Sequence, residues 1–149
     1  MVDIDCVNHD VPGLGIITFA TDSEAADSYT ASVREAFRAE PPVSYTVRRL
    51  SAHDKFIDIG ANIGVYALPA AKVGARVFAV EALPSNYFLL SIAAEKNNFT
   101  NLQVLNVAAY DRTCTVQIHG ESAWGTIVEG VDGQEVLAMR MDELIARHG

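Results

Sequence analysis

Two rhythms of apolar and polar positions run along this chain, and the changes between them mark its elements. Residues 1–20 read as extended, and after the turn signal Pro12-Gly13 the run Leu14-Gly15-Ile16-Ile17-Thr18-Phe19 predicts a strand. Thr21, with Glu24 three residues on, has the form of a capping box. Ala26, Tyr29, Val33 and Phe37 then recur at helical spacing and predict a helix flanking the main sheet. Pro41-Pro42 ends it, because proline lacks an amide hydrogen and drives its predecessor out of helical geometry.

The central pattern begins near Lys55. Phe56-Ile57-Asp58-Ile59 is a short apolar strand, residues 60–64 are a turn, and Val65 to Val73 read as a helix that Gly74 can end. Pro69 inside that stretch predicts a kink or a late start. Arg76 to Val80 is apolar almost throughout, as strands buried on both faces are. Residues 85–97 predict a helix, and Leu102 to Ala109 a third strand. Strand, helix, strand, helix, strand implies parallel pairing with crossover connections. Beyond Asp111 the texture turns β-rich: Thr113 to Ile118, Ile127-Val128 and Val136 to Met141 read as strands. Asp132-Gly133 has the form of a hairpin turn between the last two, and Asp142 can cap a short helix over Glu143 to Arg147. The expected fold class is α/β: a Rossmann-like parallel sheet with an N-terminal strand and helix flank (residues 1–54) and a core domain with a β-hairpin extension (residues 55–149).

Composition narrows what such a domain can do. The 149 residues are half hydrophobic and one-fifth charged, a globular profile. The formal net charge of −8 opposes a phosphate backbone, and Arg48-Arg49 is too small a basic patch to reverse that, so nucleic acid is not an expected partner. No apolar run is long enough for a bilayer helix and no basic, then apolar, leader opens the chain; a cytoplasmic protein with no membrane partner is expected. Cys6 and Cys114 form no CxxC pair, and Cys6 with His9 finds no second ligand pair, so no metal is expected.

The chemistry concentrates between Phe56 and Ala82. A glycine-rich loop between a buried strand and a helix lets a ligand meet the backbone near the helix N-terminus. Gly60 and Gly64 tolerate backbone angles that side chains forbid, and Asn62 supplies amide donors and an acceptor. Glu81 ends the second strand, where a carboxylate can accept both hydroxyls of a ribose. The loop reads Asp58-Ile59-Gly60-Ala61-Asn62-Ile63-Gly64, or DxGxNxG, not the three-glycine GxGxxG suited to a pyrophosphate. An acid at its entrance suits a cationic ligand without phosphates, and S-adenosylmethionine has that character. Asp58 serves equally as a brace for the loop. Asn86, in Pro84-Ser85-Asn86, reads first as a helix N-cap, and Trp124 as core rather than the roof of a pocket.

Residues 56–64, with Val80-Glu81-Ala82-Leu83-Pro84-Ser85-Asn86, resemble the FkbM family of class I methyltransferases, whose members show DxGANxG and then an E-P-x-P-x-N-like segment. Ala82 stands where the family often has proline; Asn106-Val107-Ala108-Ala109 and Met141-Asp142-Glu143-Leu144 also fit it. The resemblance covers the chain from about residue 13 onward. It implies S-adenosylmethionine as cofactor, held by Asp58, Gly60, Ala61, Asn62, Gly64, Glu81, Ala82, Asn86 and Ala109, and O-methyl transfer to a hydroxyl of a sugar or small natural product. Tyr110 and Asp111 follow the third strand, where an adenine contact is expected in this fold. No residue stands out as a catalytic base.

Family members continue with a strand carrying a K-x-D-x-E-G-like motif. Without that strand the far edge of Phe56 to Ile59 is expected to be open, to be covered by Val136 to Met141, a second copy of the chain or further sequence. The alternatives to an enzyme are a non-catalytic cofactor-binding module that needs a partner chain and, less suited to this loop, a nicotinamide-dependent oxidoreductase.

Overall fold

The parallel sheet forms where apolar segments are shortest and densest. In a computed structural model, which describes residues 3–25, 28–35, 47–120, 125–127 and 132–148, strands β3 (Lys55–Ile59), β4 (Arg76–Val80) and β5 (Leu102–Leu105) lie in the order β3-β4-β5, all parallel. Val77, Ala79 and Val80 of the central strand are fully or almost fully buried, as a strand covered on both faces requires. Helix α2 (Ala67–Val73) follows β3 and α3 (Pro84–Lys96) follows β4. Of the two outcomes expected from Pro69, the late start is the one observed. Proline occupies the third helical position, where its missing amide hydrogen forfeits no intrahelical bond. Gly74, at φ +104°, closes the helix in the left-handed conformation.

The N-terminal segment is a hairpin, not a single strand. β1 (Ile4–Val11) and β2 (Gly15–Asp22) pair antiparallel from Val11↔Gly15 to Ile4↔Asp22 around Pro12-Gly13-Leu14. Ile17 and Phe19 point inward and are fully buried, while Ile16 is exposed. They share one apolar core with Leu68 and Ala71 of α2 and Leu90 and Ala93 of α3. The Asn97 side chain fastens the hairpin to α3, accepting from the Thr18 amide (2.9 Å) and donating to the Thr18 carbonyl (2.7 Å) and the Ala93 carbonyl. The capping box at Thr21 is not formed. Thr21 belongs to β2, pairs with Asp5 and is buried, because strand pairing and burial outweigh a local cap. Asp22 instead accepts from the Glu24 amide at 3.0 Å. Helix α1 is described over Ser28–Glu35, with Val33 in the same core; Ala26, Phe37 and Pro41-Pro42 lie outside the described residues.

Four further expectations differ from the fold. The strand expected over 102–109 breaks after Leu105, and Ala108–Ala109 becomes β6 of another sheet. Asn106 sits at the break and donates its amide to the carbonyls of Glu81 and Ala82, just beyond β4. Strands β6, β7 (Cys114–His119), β8 (Thr126–Ile127) and β9 (Gln134–Met139) lie in the order β6-β9-β7-β8, so Asp132-Gly133 does not join a hairpin of adjacent strands: β7 runs between β8 and β9. Asn86 is the third residue of α3 and is buried; Leu83 takes the N-cap position and Pro84 opens the helix. Helix α4 (Met141–His148) starts earlier than expected and places Leu144 against Val80 and Met139.

Strand β3 is an edge strand among the described residues. β9 pairs with β6 and β7 and does not cover it, and Ile59 at its end is half exposed.

Candidate ligand-binding site

The carboxyl ends of β3, β4 and β5 open on one side of the sheet, where α/β folds place their ligands. A cavity of about 280 Å³ lies there, at the small end of the roughly 300–1,000 Å³ usual for small-molecule sites. Gly60 and Asn62 line it from the loop, Glu81 and Ala82 from the end of β4, Asn86 from the first turn of α3, and Ala109 from β6. These are six of the nine residues singled out above; the other three support the wall from behind.

Gly64 is buried against α2 and α3. At φ +93° it sits where a Cβ would run into Leu90 and Leu68, so its glycine is demanded by conformation and by packing together. Gly60 differs: its φ is +77°, but a Cβ there would meet nothing within 4 Å, because that space is the cavity mouth. Ala61 is buried beneath the loop. Asp58 points to the helical side of the sheet. One carboxylate oxygen accepts from the Ala67 amide at the N-terminus of α2; the other, Oδ2, is buried and has no hydrogen-bond partner. Burial, with a smaller contribution from the neighbouring Glu81 carboxylate, pushes its pKa up from 3.8 to about 6, against the lowering effect of the Ala67 amide.

Glu81 forms the floor of the cavity. Its Oε2 accepts from the Asn62 amide at 2.7 Å and its Oε1 from the Leu83 amide at 2.8 Å, which ties the glycine loop to the start of α3. Burial raises its pKa, opposed by the Leu83 and Asn62 amides, the Asn86 side chain and the Ala82 amide. A carboxylate has about four acceptor positions, so a ligand hydroxyl would have to share a position with one of these donors or displace it.

The loop amides are already committed. Gly60 and Ala61 both donate to the Val80 carbonyl (2.9 and 3.0 Å), Asn62 to Glu81, Ile63 to its neighbour's side chain Oδ1, and Gly64 to the Ala61 carbonyl. A phosphate-binding loop needs such amides free and aimed at the ligand. Here the N-terminus of α2 is served by an internal carboxylate, Asp58. Glu81 is the sole charged side chain among the described residues that line the cavity.

The remaining wall was not foreseen. Leu83, Ala108, Ile118 and Ile127, with Gly125, also line the cavity. Most belong to the second sheet, and nothing in the local sequence of β7 or β8 announces that it packs against Leu83 at the start of α3. Trp124 lies outside the described residues. Tyr110 and Asp111 line a separate, open surface groove with Arg140 and Asp142.

No family model matches the chain, and no curated protein matches it. Solved structures do. T. thermophilus 16S rRNA methyltransferase RsmC, in complex with AdoMet and guanosine, superposes with a TM-score of 0.53 at 20% identity, over 71% of this chain and 28% of that one. P. horikoshii TYW2, in complex with MeSAdo, superposes with a TM-score of 0.51 at 20% identity, over 69% of this chain and 36% of that one. The chain has the Rossmann-like fold of class I methyltransferases. It spans about a third of the length of either neighbour. Among the described residues no helix is long and apolar enough to cross a membrane.

Proposed function

We propose that the chain binds S-adenosylmethionine and belongs to a methyltransferase that acts on a hydroxyl of a sugar or small natural product. One observation carries the cofactor reading: the loop of a dinucleotide-type fold has its amides spent internally, beside a cavity whose charged lining group is a carboxylate. Such a site rejects a pyrophosphate and accepts a nucleoside with a cationic tail. The neighbours found in complex with AdoMet and MeSAdo support the same ligand class. In this reading Glu81 takes the ribose hydroxyls, and Gly60 and Asn62 border the amino-acid end. Ala82, Asn86 and Ala109, with the apolar wall of Leu83, Ala108 and Ile127, take the base. Asp58 contributes through the loop it braces, together with Ala61 and Gly64.

The cofactor supplies an electrophilic methyl group on a sulfonium. The protein's part is to hold the acceptor oxygen in line with that methyl and to keep water out. The FkbM-like segments DxGANxG and Glu81 to Asn86 favour a hydroxyl acceptor. Although both neighbours described are RNA-linked or nucleoside-bound enzymes, a formal charge of −8 disfavours an RNA backbone here, which supports a small acceptor. A flank over residues 1–54 that shares its core with the binding domain, a cytoplasmic setting, and pairing of the open β3 edge with a second copy belong to the same proposal.

Calorimetry with S-adenosylhomocysteine and NAD tests it. Micromolar binding of the first and at least tenfold weaker binding of the second are expected. NAD binding as tightly, or no binding of S-adenosylhomocysteine, overturns the reading.

A further inference from the structure

A single side chain joins three walls of the cavity. The Asn106 amide nitrogen donates to the carbonyls of Glu81 and Ala82, both at 2.9 Å. Both partners are carbonyls, so the nitrogen and not the oxygen must face them. Immediately before Asn106, Leu105 makes the last bond of the β4–β5 ladder, accepting from the Glu81 amide at 3.0 Å. Immediately after it, Val107, Ala108 and Ala109 line the cavity. Asn106 therefore sits where the chain leaves one sheet for the other; its amide holds the backbone on the C-terminal side of Glu81, while the Leu105 carbonyl just before it holds the Glu81 amide on the other side. The Glu81 carboxylate in turn accepts from the amides of Asn62 and Leu83.

We infer that Asn106 is a positioning residue: its double amide clamp orients Glu81 and sets the width of the cavity between β4 and β6. It touches the ligand site through Glu81 and Ala82 and has no contact role of its own. The inference rests on the proposed nucleoside site, in which Glu81 is the polar anchor.

The molecule provides its own control. Asn101 makes an analogous clamp, donating to the carbonyls of Ala71 (2.8 Å) and Ala75 (2.7 Å) away from the cavity. Asn106→Ala and Asn101→Ala each remove two hydrogen bonds to backbone carbonyls, so both should lower the melting temperature, although in the second the Ala71 carbonyl keeps the Gly74 amide. They should differ in everything local. In ligand-free protein, amide hydrogen exchange at Asn62 and Leu83 should quicken at least tenfold in Asn106→Ala, relative to the β3–β4 ladder amides, and should track the ladder in Asn101→Ala. Affinity for S-adenosylhomocysteine should fall at least tenfold in the first variant and stay within twofold in the second. In Asn106→Asp, affinity should recover as pH falls and the protonated carboxyl donates one bond again. If Asn62 and Leu83 in Asn106→Ala merely follow the ladder, as in the control, the positioning role is refuted. If the wild type does not bind S-adenosylhomocysteine, the cofactor reading fails, and the exchange comparison alone still decides for or against Asn106.

Discussion

Replacing Asp58 by asparagine should make the protein more stable at pH 8, with a charge-related gain at pH 4.5 only about a third as large. The Asp58 carboxylate has one oxygen on the Ala67 amide and one buried without a partner, and its pKa is pushed up to about 6 from 3.8. The folded state therefore holds this proton more tightly than the unfolded state. The sign follows: the group favours folding while it is protonated, and that contribution is lost as pH rises from about 3.8 through about 6. At about 1.4 kcal/mol per pH unit, the full cost of the ionised group is about 3 kcal/mol, and partial solvent access reduces the expected effect to about 1–3 kcal/mol. Asparagine keeps an oxygen for the Ala67 amide and carries no charge. It leaves an amide group where Oδ2 lacks a partner, so the gain at pH 8 should fall toward the lower end of that range. Urea denaturation of both proteins from pH 4.5 to 8 measures the difference, in which the many other titrating groups cancel. The stability difference should grow with pH and level off above about pH 7. A difference that is independent of pH would refute the reasoning, because the Asp58 charge would then be compensated in a way that the geometry does not show.

Glu81→Ala should weaken S-adenosylhomocysteine binding by about 1–3 kcal/mol and also lower the melting temperature, since the Asn62 and Leu83 amides lose their acceptor; calorimetry and thermal denaturation measure the two effects. The two loop glycines should separate by readout. Gly64→Ala should cost about 1–3 kcal/mol of stability through its clash with Leu90 and Leu68. Gly60→Val should cost stability through the strain of a β-branched residue at φ +77°, and because its side chain would also enter open cavity space the remaining folded protein should bind S-adenosylhomocysteine more weakly; normal binding by that folded protein would contradict the second effect. Ile127→Asp should weaken nucleoside binding at least tenfold by placing a charge in the apolar end of the cavity, and unchanged affinity would remove β8 from the site.

Sequence by itself determined the parallel core and which polar residues would gather at one end of it. The apolar runs at Phe56, Arg76 to Val80 and Leu102 pair as their composition demands, because a strand covered on both faces has few other places to go. Gly60, Asn62 and Glu81 meet at one cavity because strand–loop–helix connectivity puts the ends of adjacent parallel strands side by side. Local signals failed where long-range contacts competed with them. Thr21 looked like a cap until pairing with Asp5 and burial in the core claimed it for β2. Asn86 looked like another, yet it is drawn inside the helix and into the cavity wall. Asp58 and Gly64 bear the right motif letters, but only packing shows that one braces α2 and the other makes room for Leu90. The apolar end of the cavity was invisible for a plainer reason. Ile118 and Ile127 alternate like any half-buried strand, and which surface they cover is set by the Asn106 break, which sends the chain out of one sheet and into another. Hydrophobic period specifies that a face is buried; the partner it is buried against is decided by tertiary contacts that no local window contains.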